Sequence, residues 1–116
     1  MSGQPIAIAT RAAFEQNVLN VGVPTAVVFH AKWCPHCRAF LPTFEALAAE
    51  FDGRIRFVTV DVDEAPDLEA RYDVAKVPAV LLFESGQVID RWVNEQNADP
   101  YRKRFRRLPP KQRFGP

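Results

Sequence analysis

Trp33-Cys34-Pro35-His36-Cys37 decides how this chain reads. It holds the only two cysteines in 116 residues. An apolar run, Ala26-Val27-Val28-Phe29, leads into it, and a stretch with helical spacing follows. A strand feeding a Cys-x-x-Cys that opens a helix is the arrangement a dithiol redox centre needs. Three residues of separation inside one helical turn bring two sulfurs within disulfide reach. The first turn also aims free backbone N–H groups and the positive end of the helix dipole at Cys34, which favours its thiolate. From Cys37 the apolar positions Phe40, Leu41, Phe44, Leu47, Ala48 and Phe51 form a 3.6-residue stripe. Cys37 lies on that stripe, so it is expected to be buried, with Cys34 the exposed member. Pro35 suits the first helical position because it has no N–H to leave unpaired. Pro42 is expected to kink the helix, and Gly53 to end it.

Working outward, residues 5–9 read as a short strand. Arg11 to Asn20 reads as a helix capped by Thr10. Ile55 to Val62 is a strand by its β-branched content, and Pro66 to Tyr72 a short helix. Ala79 to Phe83 is a continuous apolar run, as in a strand buried on both faces. Ser85-Gly86 predicts a tight hairpin turn into Val88 to Val93. Asp99-Pro100 predicts a helix start, with a basic helix to about Leu108 that Pro109-Pro110 stops. The order β-α-β-α-β-α-β-β-α predicts an α/β fold: a central mixed sheet with helices on both faces, parallel at the crossovers and antiparallel at the final hairpin. Residues 1–108 read as one domain, and 109–116 as a mobile basic tail.

Composition bounds the rest. The chain is 47% apolar and 25% charged, which supports a packed core and argues against disorder. Two cysteines are too few for a disulfide-stapled scaffold. No apolar run reaches membrane-span length, and Met1 to Thr10 does not read as a signal peptide, so no membrane partner is expected and the cytoplasm is the default location. Residues 1–101 carry eight basic and fourteen acidic side chains, a net of −6, while residues 102–116 carry +7. A basic helix invites a nucleic-acid reading. The simpler reading packs Tyr101, Phe105 and Leu108 on the sheet and turns the arginines to solvent or to the acidic body, so nucleic acid is not the expected partner.

The element order and the Cys-x-x-Cys after the second strand resemble the thioredoxin family over roughly residues 5–94. Lys32-Trp33-Cys34 is similar to the start of the family motif. Pro42 falls where the family's active-site helix is kinked, and Val77-Pro78 matches the family's cis-proline. The resemblance implies a thioredoxin-like fold and thiol–disulfide exchange with protein disulfides or dithiols. Cys34 would attack and Cys37 would resolve. Trp33, Pro35, Val77 and Pro78 would flank the substrate, with Val77 bonding it in strand-like fashion. An electron donor such as a thioredoxin reductase or a glutathione system is implied, and no cofactor. The chain also departs from the family. Pro35-His36 stands where thioredoxins proper have Gly-Pro; the Pro-His dipeptide is the one found in the bacterial periplasmic disulfide oxidant, and its His is shared with protein disulfide isomerases. A protonated His36 beside the Cys34 thiolate would make the disulfide more oxidising. A family Asp and Lys that serve the second cysteine are replaced, by this alignment, with Val28 and Phe57. Lys76 and Asn94 alter the substrate rim.

His30 stands two residues past Val28 on the same strand face. One reading gives it proton handling for Cys37, and the plainer one makes it a packed histidine. Metal is the main competing chemistry, since Cys34, Cys37, His36 and His30 could supply four ligands. Structural zinc sites usually draw on two separated pairs, so no metal is expected. The acidic stretch Asp61, Asp63, Glu64, Asp67 and Glu69 lacks a calcium-loop frame and reads as a solvated loop and helix. From a different functional class comes an interaction module or complex subunit whose dithiol is secondary to partner binding.

Overall fold

The computed structural model describes residues 3–109. Their elements are β1 (Ile6–Ile8), α1 (Arg11–Phe14), β2 (Thr25–His30), α2 (Pro35–Glu50), β3 (Arg56–Asp61), α3 (Pro66–Arg71), β4 (Ala79–Glu84), β5 (Gln87–Val93) and α4 (Ala98–Arg106). The mobile tail expected from residue 109 lies, past Pro109, outside the described residues. Thr10 caps α1 as anticipated, its Oγ1 accepting from the Ala13 N–H at 3.1 Å. The helix then widens into a π-helical stretch, Glu15–Leu19, closed by the Asn20 N–H on the Glu15 carbonyl.

The strands form one mixed sheet in the order β1-β3-β2-β4-β5. β1 and β2 both run parallel to β3, and β4 runs antiparallel to β2 and to β5. The antiparallel step at β2–β4 corrects the expectation that only the final hairpin breaks the parallel pattern. Helix length explains it. α2 has sixteen residues and spans about 24 Å, enough to return the chain to the far end of the sheet. α3 has six and spans about 9 Å, so the chain enters β4 from the end at which it left β3. Ser85 and Gly86, both at positive φ, close the β4–β5 hairpin in two residues.

Alternation along the central strands divides the core. Val27, Phe29, Val58 and Val60 face Phe14, Val18 and Leu68 of the α1–α3 side. Ala26, Val28, Phe57 and Leu82 face Phe40, Phe44 and Leu47 of α2 and Tyr101 and Phe105 of α4. Pro42 lies inside an unbroken α2, and Gly53, at φ +85°, turns the chain two residues past the helix cap at Phe51. α4 begins at Ala98 rather than after Asp99. Asp99 is already helical and accepts from Arg102 at 2.9 Å, while Pro100 still sits in the first turn, where a missing N–H costs nothing. Tyr101, Phe105 and Leu108 are buried, and Arg102 and Arg104 bond Glu50 and Asp90 at 2.9 Å, so the basic helix leans on the acidic body.

Candidate active site

β2 ends at His30, and a turn closed by the Cys34 N–H on the Ala31 carbonyl sets Cys34 at the mouth of α2. Cys34 is the helix N-cap, extended at φ −93° and ψ 111°, and Pro35 takes the first helical position. The Cys34 Sγ accepts the Cys37 backbone N–H at 3.2 Å, so an orphan donor of the helix N-terminus points at sulfur. On its other side the thiol faces the Val77 carbonyl at 3.7 Å. The Val77–Pro78 peptide is cis. Both cysteines are free thiols. Cys34 is only 6% exposed, against the expectation of an open nucleophile. The Val77 loop and the motif's own turn cover it.

Cys37 is fully buried. Burial pushes its thiol up to about 12, and a hydrogen bond with Cys34 adds to the shift, while an Ala31 backbone bond and the Arg38 charge oppose it. Among the described residues no carboxylate is hydrogen-bonded to Cys37. Val28 is buried, and its neighbour on β3 is Thr59, not Phe57, which pairs with Ala26 instead. Neither Phe57 nor Thr59 carries a charge.

His30 pairs with Asp61 across β2 and β3 and lines a cleft with Leu41, Glu45 and Thr59. Burial favours its neutral ring, opposed by the nearby Asp61 and Glu64. Among the described residues no hydrogen bond joins His30 to Cys37. His36, by contrast, is exposed. Its Nδ1 lies 2.9 Å from Gln96 Nε2 and 3.3 Å from Asn94 Oδ1.

Trp33 is 65% exposed, and its indole N–H donates to Asp63 at 2.9 Å. A cleft of about 320 Å³ beside the cysteines is lined by Trp33, His36, Glu69, Lys76, Val77 and Asn94, among others. A larger cleft of about 390 Å³, lined by Val23, Ile55 and Arg56, lies at the opposite end of β3, away from the cysteines. Among the described residues no three His, Cys, Asp or Glu side chains are grouped to hold a metal ion.

The family model described as Thioredoxin matches residues 5–106. The chain belongs to the thioredoxin family. It is 36% identical over 86 residues to the mitochondrial thioredoxin of Mus musculus, covering 74% of this chain and 52% of that protein. It is 36% identical over 81 residues to thioredoxin 1 of a Nostoc species, covering 70% and 76%. The chain therefore spans about half the length of the mammalian mitochondrial relatives and three quarters of the cyanobacterial one. Among solved structures, the thioredoxin of Malassezia sympodialis superposes with a TM-score of 0.82 at 25% identity, over 90% of each chain. The thioredoxin match runs on through α4, past residue 94 where the sequence motifs fade.

Two contributors escaped the sequence reading. Asp63 was grouped with a solvated acidic loop, yet it holds Trp33, and its neighbour Asp61 is buried, accepting the Asp63 backbone N–H at 2.9 Å. Asp63 lay in plain view two residues past the end of a strand that ends beside the motif. Gln96 carried no signal, because it reaches His36 across a separation of 60 residues.

Proposed function

We infer that this thioredoxin-family chain is a thiol–disulfide oxidoreductase acting on protein disulfides. One observation carries the reading: the Cys34 sulfur sits between the Cys37 N–H and the Val77 carbonyl at the start of α2. The Cys34 thiolate attacks one sulfur of a substrate disulfide. That S–S bond breaks, the departing thiolate takes a proton, and Cys34 is left in a mixed disulfide. Cys37 then gives up its proton and attacks the Cys34 sulfur, releasing the second substrate thiol. The substrate gains two electrons and two protons, and the chain ends as a Cys34–Cys37 disulfide. Val77 and Pro78 present backbone to the substrate, with Trp33 and Pro35 beside it. His36 supplies the adjustable charge near Cys34.

The cycle requires a two-electron donor, such as a thioredoxin reductase or a glutathione system, in a reducing compartment. The cytoplasm is the proposed one, checked by fractionating cells that express the full-length protein. Proton handling by His30 is a separable part of the reading. It rests on a neutral ring at the end of β2. A His30→Ala variant with an unchanged rate-versus-pH profile removes it.

The deciding experiment is insulin-disulfide reduction coupled to a thioredoxin reductase or to glutathione. Cys34→Ser should abolish turnover. Cys37→Ser should instead accumulate a covalent adduct with the substrate that dithiothreitol releases. Turnover that survives Cys34→Ser, or no adduct with Cys37→Ser, overturns the assignment.

A further inference from the structure

His36, Asn94 and Gln96 form a closed set of polar contacts beside the cysteines. Gln96 Nε2 is 2.9 Å from His36 Nδ1 and 2.9 Å from Asn94 Oδ1, so one amide nitrogen donates to both. Asn94 is itself fixed. Its backbone N–H donates to the Pro78 carbonyl at 2.8 Å, and it holds φ at +58°. Asn94 Oδ1 also lies 3.3 Å from Nδ1, but the Gln96 amide nitrogen is nearer at 2.9 Å, so the arrangement favours Nδ1 as an acceptor and a neutral ring with its proton on Nε2.

A protonated imidazole has donors at both nitrogens and cannot face the Gln96 amide nitrogen. Turning Gln96 alone would place its oxygen against Nδ1–H, but also 2.9 Å from the Asn94 oxygen, acceptor against acceptor. Turning both amides restores the two Gln96 bonds: the Gln96 oxygen then accepts from Nδ1–H and from the Asn94 amide, and the longer 3.3 Å approach of Asn94 to Nδ1 stays unpaired in either setting. The set therefore has two self-consistent settings, one for each charge of His36, exchanged by two concerted side-chain rotations.

We propose that Gln96 and Asn94 are positioning residues that set the proton on His36, and through it the charge beside Cys34. The proposal deepens the exchange reading above and rests on it for its link to Cys34. Other charged groups face the ring as well. Cys34 lies on its own helix, Glu69 of α3 and Lys76 of the loop before β4 line the same cleft, and Glu95 is turned to the Asn97 N–H at 3.1 Å. Arg38 is drawn away to the Lys32 carbonyl at 2.7 Å. None of these contacts Nδ1, so Gln96 and Asn94 decide which nitrogen carries the proton.

The test is a pH titration of the reduced full chain with ¹⁵N-labelled histidine, reading His36 tautomer and midpoint by long-range proton–nitrogen NMR. Cys34 alkylation by iodoacetamide is followed in the same series. In the unsubstituted chain the neutral His36 ring should carry its proton on Nε2. In Gln96→Glu the carboxylate can only accept, so the neutral ring should switch to Nδ1–H and the midpoint should rise by about one pH unit. Gln96→Leu, which removes the donor without adding charge, should give a mixture of tautomers. A step in Cys34 alkylation should coincide with the His36 midpoint and move with it in Gln96→Glu.

A midpoint that rises without a tautomer switch is a simple charge effect and overturns the proposal. So does an Nδ1–H ring in the unsubstituted chain, or an alkylation step that stays put while the midpoint moves. If Cys34 fails to react at any pH, the exchange reading falls, and the tautomers still report on the amide pair.

Discussion

The indole N–H of Trp33 donates to the carboxylate of Asp63 across 2.9 Å, tying the exposed ring beside Cys34 to the loop that follows β3. A ring 65% exposed has little packing to orient it, so this bond fixes its direction. An Asp63→Ala variant should lose three- to tenfold in kcat/KM on insulin, as expected for about 1 kcal/mol of a charge-assisted bond. The loss should fall mainly on KM, with stability to urea nearly unchanged. An equal fall in kcat at constant KM would assign Asp63 to the chemistry instead.

Resolution of the mixed disulfide should depend steeply on pH. Cys37 is a neutral thiol with its pKa pushed up to about 12, and no carboxylate stands at Val28 or Thr59 to take its proton. Its thiolate fraction rises tenfold per pH unit below that value. Acid-quench measurements should therefore show adduct decay quickening about 100-fold between pH 7 and pH 9. A profile that levels off just above the histidine range would point to a base, and His30→Ala would identify it.

The same burial fixes the sign of a stability effect. Folding raises the Cys37 pKa, so above the unfolded thiol value the unfolded state has lost a proton that the folded state keeps. Stability of the reduced form then falls as pH rises from about 9 towards 12, by about 1.4 kcal/mol per unit. Tyr101 and Tyr72, both raised by burial, steepen the fall at the upper end. Urea midpoints at pH 8, 9 and 10 should show an extra slope that Cys37→Ser removes. An identical slope in that variant would rule the cysteine out as its source.

α4 is held by its rings more than by its charges. Phe105 is fully buried, with ring centroids 5.4 Å from Phe51 and 5.8 Å from Phe57. Phe105→Ala should cost about 3–5 kcal/mol in a urea titration. Arg106→Ala should cost under about 0.5 kcal/mol, because that side chain is mostly exposed and lies 3.7 Å from Glu50. Comparable costs for the two would reverse this ranking.

The strand, the cysteine turn and α2 were legible because they are local: an apolar run, two cysteines at helical spacing and an apolar stripe lie within one stretch of chain. The hairpin at Ser85-Gly86 and the burial of Tyr101, Phe105 and Leu108 follow from equally short patterns. What escaped depends on partners distant in sequence. The direction of β4 is set by the length of α3 against the sheet, the neighbour of Val28 by the β2–β3 register, and the roles of Asp63 and Gln96 by separations of 30 and 60 residues. Burial of Cys34 belongs with these, since the Val77 loop that covers it arrives 43 residues later.

That covering has a consequence for client choice. With Cys34 only 6% exposed, Cys37 beneath it and Val77 alongside, the exchange proposed above would be closed to a disulfide seated in a rigid surface. The bridge must be carried in on a segment narrow enough to lie along Val77 and loose enough to bend its sulfur inward. Accessible loops, frayed termini and partly unfolded chains meet that requirement, and bridges locked inside a well-packed domain do not. On the exchange proposed above, the chain would sort disulfides by the mobility of the backbone that bears them.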